Sequence, residues 1–496
     1  MLPYTTLITF DKAAGTSVYL QISTSLVRNI RSGLLQPGTR LPGTRELARQ
    51  LGVHRKTVIA AYNDLYAQNW ITVAPRKGFT VAGSLPELKP QPWKRPVKEL
   101  HQASMPVPFN SVINSGVLTY EPGKTPPRLV IDDGFPDPRL APLPLLLREY
   151  RSRLANQYAP RQASGTLAAG SIALREALSG YLYNTRGIRT GLPGVLVTHG
   201  AQMSIFLAAS LLVKPGDLVV VGEPGYPVAS YSFAQLGAKI LKVPVDEHGM
   251  DTDALAEACR NARPKLVYVI PHHHHPTTVT LSPQRRMHLL ELAATCNFAI
   301  IEDDYDYDFH YTSSPYLPLA SSDHGGRVVY IGSFAKSLAA SVRIGFMVAA
   351  PDFVEQASRL RRMIELRGDT LMEDALATLI TNGDLGRYLR KANKICRERR
   401  DHLCGLLDSR LKEVVSYEKP AGGMAVWLRF QPAFPLKTIA GIAATRGLHM
   451  SSGALFDTPR HQYNAMRFGF ASLSPWETED AINIITSAVQ SLPLSP

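Results

Sequence analysis

Apolar spacing along the chain changes from helical to strand-like after about a quarter of its length. Near the N-terminus Ile22, Leu26, Val27 and Ile30 recur with the period of a helix, with Arg28 and Arg31 on the outward side. The turn Gly33-Leu-Leu-Gln-Pro-Gly38 stops that helix. Thr44 predicts the N-cap of a second, short helix over residues 45–51, and Gly52 predicts its end. Val58, Ala61, Tyr62, Leu65 and Tyr66 share one face of a third helix that starts near His54. Trp70-Ile-Thr-Val and Gly78-Phe-Thr-Val-Ala82 read as a hairpin around Ala74-Pro-Arg-Lys-Gly78. Nine prolines then fall between Pro86 and Pro127 with no periodic apolar face, which predicts a semi-extended spacer. Beyond it, strand-like runs at 194–198, 218–221, 239–245, 265–270, 298–301, 327–331 and 343–348 alternate with helical patterns, including helices from Ala201 and Ser282. Such alternation predicts an α/β domain with a largely parallel sheet, whose ligands sit beyond the carboxyl ends of the strands. Three regions follow: residues 1–83, a linker over 84–127, and a large domain over 128–496.

A chain of 496 residues is too long for one ordinary core, in keeping with that division. The formal net charge is +13, and residues 1–83 hold ten Lys/Arg against three Asp/Glu, so an anionic partner is expected for the N-terminal region. The four cysteines show no CxxC spacing and read as reduced thiols. The first residues lack a basic segment followed by an apolar one, and no apolar run reaches the ~18 residues that span a bilayer, so a cytoplasmic location is expected.

In the basic region, two helices joined by a Gly-containing turn precede a third whose N-terminal end presents His54, Arg55, Lys56 and Thr57. With a basic hairpin after it, this describes a winged helix-turn-helix, whose third helix would reach base edges in the major groove of double-stranded DNA. A trihelical bundle with a solvated basic face is the alternative.

In the large domain the central stretch is Val328-Val-Tyr-Ile-Gly-Ser-Phe-Ala-Lys336-Ser-Leu-Ala-Ala-Ser-Val-Arg343-Ile-Gly-Phe-Met-Val348. Two buried strands enclose a small-residue loop with one lysine, flanked by Ser333 and Ser337 and followed by Arg343. Taken alone, a surface-loop lysine is the bland reading. A lysine amine can also form a Schiff base with an aldehyde while hydroxyls and a guanidinium hold a dianionic phosphate. Pyridoxal 5′-phosphate (PLP) carries both groups. Other strand ends agree: His199-Gly-Ala-Gln202 opens a helix whose N–H groups suit a phosphate, and Glu223-Pro-Gly-Tyr226-Pro offers a stacking ring. Glu302-Asp-Asp-Tyr-Asp306 offers a carboxylate for a pyridine nitrogen and a phenol for a ring hydroxyl, although three acids so close also fit a divalent metal.

The segments Pro37-Gly-Thr-Arg-Leu-Pro42, Thr44-Arg-Glu-Leu-Ala48, Leu51-Gly-Val-His-Arg-Lys-Thr-Val58 and Ala61-Tyr-Asn-Asp-Leu65 resemble the GntR family of bacterial repressors. The resemblance implies DNA contacts by Arg45, His54, Arg55, Lys56 and Thr57 and by the wing-tip Lys77; His54 stands where Ser or Thr is more usual. The large domain resembles the fold-type I, PLP-dependent aminotransferases. Both parts together resemble the MocR-type regulators, which fuse the two. By that resemblance Lys336 is the Schiff-base lysine, Asp303 the partner of the pyridine nitrogen, Tyr305 the partner of the ring hydroxyl and Tyr226 the stacking ring. Ala201, Gln202, Ser333 and Arg343 match the phosphate cup, and Arg467 matches the arginine that grips a carboxylate. The pattern is broken at Ile270-Pro-His-His-His-His-Pro-Thr-Thr278, where His275 replaces an asparagine or aromatic residue and Thr278 a glycine. His275 then either bonds the ring oxygen or packs. Neighbouring histidines on an extended chain point to opposite faces, so a metal shared among them is not expected. A cation-rich helix over 386–406 is expected to be solvated or to contact a second subunit.

The function these readings favour is a dimeric, DNA-binding regulator. Its aminotransferase-like domain would sense an amino acid or related amine by aldimine exchange at Lys336. An active aminotransferase with an accessory DNA-binding domain is the rival, and a sensor without covalent chemistry is a third reading.

Overall fold

The computed structural model describes residues 4–12, 15–74, 78–86, 127–156, 168–311, 316–458 and 461–492. Lys77 and almost all of the expected linker lie outside the described residues. The chain divides into an N-terminal unit and a larger C-terminal one.

In the N-terminal unit, helices Val18–Arg31, Thr44–Leu51 and Arg55–Ala67 precede the antiparallel strands Ile71–Ala74 and Gly78–Val81. Ile22, Leu26, Leu47, Val58, Tyr62 and Leu65 are completely buried between them. A buried leucine of this kind stabilises by about 1.5–3 kcal/mol. The Tyr62 ring meets Phe79 of the hairpin edge-on at 4.6 Å, which ties the third helix to the wing. Two details differ from the sequence expectation. Gly43, not Thr44, is the N-cap of the second helix, because Thr44 already has helical backbone and makes no capping bond. Tyr66 is 54% exposed rather than on the buried face, since Leu65 already closes the core at that turn.

The larger unit is built on an eight-stranded sheet. Its order is Val195–Thr198, Gly345–Val348, Val328–Ser333, Ala299–Asp304, Pro264–Val269, Leu218–Glu223, Lys239–Asp246 and Gly249–Met250. The five strands from Val328–Ser333 to Lys239–Asp246 run parallel; Gly345–Val348 is antiparallel to both neighbours. Helices cover both faces of the parallel part, so strands such as Val328–Ser333 are buried at every position. That is why they read as unbroken apolar runs. A second, three-stranded antiparallel sheet joins Val415–Ser416, Ala425–Phe430 and Ala465–Gly469 and carries Arg467. Beside it, Leu129–Val130 pairs in parallel with Leu448–His449, bringing the start of this unit next to its C-terminal part. The cation-rich helix extends over Asp384–Arg410, and two of its cations are not on the solvated side that was expected. Arg400 is 5% exposed and bonds Asp401 and the Pro420 carbonyl, while Arg399 bonds Asp137 and the Ala471 carbonyl. These pairings make the two arginines clamps within the fold. Among the described residues no helix is long and apolar enough to cross a membrane.

Candidate active site

The carboxyl ends of the strands open on a cavity of about 310 Å³. It is lined by Lys336, Asp303, Tyr305, Tyr226, Ala201, Gln202, Ser333, Arg343, His275 and Arg467, so residues spread over more than 260 positions meet in one place. Every residue that the resemblance matches to the cofactor and carboxylate positions lines it, together with His275.

On one wall, Asp303 is the last residue but one of the Ala299–Asp304 strand. Its Oδ2 accepts a hydrogen bond from Tyr268 Oη at 2.6 Å, and its Oδ1 is buried with no partner. Burial pushes this carboxyl up to about 7, because the cavity offers the anion only the Tyr268 hydroxyl against nearby Asp304 and Asp306. A cationic group in the cavity is what such a carboxylate lacks. Lys336 follows the Val328–Ser333 strand. Burial lowers its amine to about 8, with Arg467 acting in the same direction and Asp133 opposing. About a tenth of such a lysine is the neutral nucleophile at pH 7, far more than of a solvated one.

At the far end, Gly200 caps the helix Ala201–Leu212 with φ 95°, a conformation that favours glycine. A Cβ at Gly345 would come within 2.6 Å of Gly200 Cα, so both glycines are needed where the two loops touch. Arg343 Nη2 donates to the His199 carbonyl at 2.9 Å beside that helix end. Gln202 Nε2 donates to Ser232 at 2.8 Å, leaving its buried Oε1 unpaired. Ser333 Oγ accepts from the Ala335 N–H. Ser337, expected as a second phosphate hydroxyl, is instead buried and donates to Asp308 at 2.8 Å. One residue after Lys336 the loop has already turned inward, so that hydroxyl lies away from the cavity.

The third side is formed by Tyr226, His275 and Arg467. The rings of Tyr226 and His275 meet edge-on at 5.1 Å. Tyr305 lends its phenol to the His273 carbonyl at 2.9 Å. Arg467 donates to the Pro276 carbonyl at 3.2 Å and pairs with Asp133, Nε to Oδ1, at 3.0 Å. Asp133 Oδ2 lies 2.7 Å from His275 Nε2. Partial desolvation works against the Asp133 charge, whose side chain stays 46% exposed, but His275, Arg467 and Lys336 outweigh it and hold its carboxyl well below the usual range. Burial keeps His275 below the ordinary histidine value despite Asp133, so the imidazole is neutral at pH 7.

The histidine run is not extended, as the sequence reading assumed. His273 and Thr278 take φ values of 46° and 63°, and the four side chains go to four different partners. His272 meets Asp304, His273 meets Asp306, His274 meets Thr277 and His275 meets Asp133. Among the described residues no group of three or more His, Cys, Asp or Glu is arranged to hold a metal ion.

Asp133, Phe135 and Tyr268 were missed from sequence. Asp133 and Phe135 flank a glycine in Asp132-Asp-Gly-Phe135, which reads as an ordinary turn, and Tyr268 reads as a core residue of a strand. In the N-terminal unit, His54, Arg55 and Lys56 are exposed at the start of the third helix, Thr57 is half-buried beside them, and Arg45 is exposed on the second helix. His54 caps that helix through Nδ1, which accepts from the Lys56 N–H at 3.2 Å, and so does what a Ser or Thr would do there.

Residues 150–485 match the family described as aminotransferase class I and II. The chain belongs to that family. Residues 18–81 match the bacterial regulatory proteins of the gntR family, so a GntR-type helix-turn-helix precedes the aminotransferase class I and II domain. Relatives share this whole span. The chain is 29% identical over 476 residues to the HTH-type transcriptional regulator TauR of Rhodobacter capsulatus, covering 94% of this chain and 95% of the relative. It is 28% identical over 495 residues to the probable rhizopine catabolism regulatory protein MocR of Rhizobium meliloti, covering 98% and 96%. Among solved structures, the multiple substrate aminotransferase of Thermococcus profundus matches with a TM-score of 0.68 and 26% identity, over 74% of this chain and 92% of that one. Class I and II aminotransferases are PLP-dependent, and PLP is the cofactor of this fold. The cavity fits it: Asp303 Oδ1 and His275 Nδ1 are buried polar atoms without a partner, and the volume lies in the range of small-molecule sites, about 300–1,000 Å³.

Proposed function

We propose that this chain is a PLP-dependent, DNA-binding transcriptional regulator. A winged helix-turn-helix over residues 1–83 holds operator DNA, residues 84–127 tether it, and the domain over 128–496 senses an amino acid or related amine. The observation that carries the reading is the convergence of Lys336, Asp303, Gln202, Arg343 and Arg467 on one cavity, in a chain whose N-terminal unit exposes a basic helix end.

In this reading Ala201, Gln202, Ser333 and Arg343 hold the phosphate of PLP, Asp303 its ring nitrogen and Tyr226 its ring face, while Tyr305 and His275 face its ring oxygen. Bound there, PLP supplies an aldehyde that condenses with primary amines. Lys336 is the amine that an incoming effector amine replaces, and Arg467 binds a carboxylate on that effector. Arg45, His54, Arg55, Lys56, Thr57 and Lys77 contact DNA, with the protein working as a cytoplasmic homodimer on two half-sites. Effector control requires that the amine bind two arrangements of the protein unequally.

Spectral titration tests the sensing half. PLP-loaded protein is expected to show a visible absorbance band that disappears in Lys336→Ala and shifts with some members of a panel of amines and amino acids. A band that survives Lys336→Ala would overturn it. Sequence-selective, salt-sensitive binding to DNA upstream of its own gene tests the other half. Retention of Lys336, Asp303 and Arg467 in one cavity also favours a second reading, an active aminotransferase. Sustained multiple turnover with an amino donor and a keto acid would establish it.

A further inference from the structure

Arg467 is 3% exposed, and a buried guanidinium without an anion is costly. Its counter-charge is Asp133, which comes from the opposite end of the large unit's sequence. Asp133 is not a fixed core residue. Its side chain is 46% exposed, and it sits in a strap, Asp132-Asp-Gly-Phe135, closed by a local turn in which Asp132 Oδ1 accepts from the Gly134 and Phe135 N–H groups at 2.8 and 2.9 Å. The strap also reaches the lysine. Lys336 Nζ donates to the Gly134 carbonyl at 2.6 Å and lies 3.7 Å from the centre of the Phe135 ring. One short segment therefore engages both cations that an amino acid would address, the arginine through a carboxylate and the lysine through a carbonyl.

Resting on the proposed sensing role of this cavity, we infer that Asp133 is an internal stand-in for the effector's carboxylate. A carboxylate-bearing amine binds Arg467 by displacing Asp133, and releases the strap in doing so. An amine without a carboxylate leaves Asp133 on Arg467 and the strap in place. Asp133 is thus a specificity-determining residue: it sets a threshold that only a carboxylate able to take the guanidinium in both prongs passes. The strap runs directly from the strand Leu129–Val130, so displacement is felt at the beginning of the large unit.

The test uses the full PLP-loaded chain and pairs of probes that differ only in the carboxylate: glycine, β-alanine and γ-aminobutyrate against methylamine, ethylamine and propylamine. In spectral titrations, Asp133→Ala is expected to tighten the amino acids by about tenfold or more while moving the plain amines by less than roughly twofold. Equal shifts for both sets, or weaker amino-acid binding, would overturn the inference and make Asp133 a structural counter-ion or a cation grip. Hydrogen exchange on the wild-type protein needs no variant. Amides of residues 129–135 are expected to exchange faster with saturating amino acid than with amine, and identical exchange would overturn the displacement. A third arm separates this inference from the cofactor reading. In PLP-free protein, calorimetric titration with butyrate is expected to show tighter binding in Asp133→Ala than in wild type and none in Arg467→Ala. If the absorbance band is absent but this order holds, the cofactor reading fails and the role of Asp133 stands; if the band behaves as proposed but this order is reversed, the inference fails alone.

Discussion

The two units use positive charge in opposite ways. In the N-terminal unit Arg45, Arg55 and Lys56 stand exposed around one helix end, where water solvates them until a polyanion replaces it. In the large unit Lys336 and Arg467 are drawn into a cavity beside Asp133, where each needs a specific neighbour. The first arrangement suits an affinity that falls with salt and is shared among several cations. The second gives selectivity, and it fails when one partner is removed.

This contrast can be broken most completely at Lys336. Lys336→Ala is expected to abolish the absorbance band while leaving DNA binding by the PLP-free protein unchanged; loss of both would mean that Lys336 holds the fold of the chain together and not the cofactor alone. Arg467→Ala comes next. It removes a charge-assisted contact worth about 1.5–3 kcal/mol, so amino-acid affinity in spectral titration should drop about ten- to a hundredfold, with plain amines little affected. In the basic unit, Arg55→Ala should cost about 1–3 kcal/mol in DNA binding if it reads a base edge, and should relax sequence preference there in a competition assay.

A smaller effect is set by pH. The Lys336 amine, lowered to about 8 by burial, attacks an aldehyde only when neutral. Reconstitution of PLP-free protein, followed by absorbance, should therefore slow by about fivefold from pH 8 to pH 7 and level off at higher pH. A rate still climbing at pH 10 would mean that the amine is not depressed. The smallest is Lys56→Ala, which should reduce the slope of log affinity against log salt by about one without changing sequence preference.

Much of this was legible in the sequence because both units obey simple periodicities. Helix positions such as Ile22, Leu26, Val58 and Tyr62 mark their faces, and the parallel strands are apolar throughout because helices cover both sides. Strand ends then point to Gln202, Tyr226, Asp303 and Lys336 without any knowledge of distance. What was not legible depends on contacts between distant segments. Nothing local separates Asp133 from a turn aspartate; its role exists only because Leu129–Val130 pairs with Leu448–His449 and brings the strap over Arg467. The path of the histidine run was hidden for another reason. His273 and Thr278 take left-handed conformations, and threonine, being β-branched, is a residue from which no one expects them. Tyr268 reads as strand core, and only the structure shows its hydroxyl on Asp303.

In the proposed function the cavity at Lys336 governs the basic unit's hold on DNA. Operator affinity of the PLP-loaded full chain, measured with and without saturating members of the amino-acid panel in wild type and Lys336→Ala, tests it most directly. At least one amino acid is expected to change wild-type affinity by about fivefold or more, within the usual range of coupling between sites, and to leave Lys336→Ala unmoved. An amino acid that shifts the wild-type absorbance band yet leaves its operator affinity the same would contradict it.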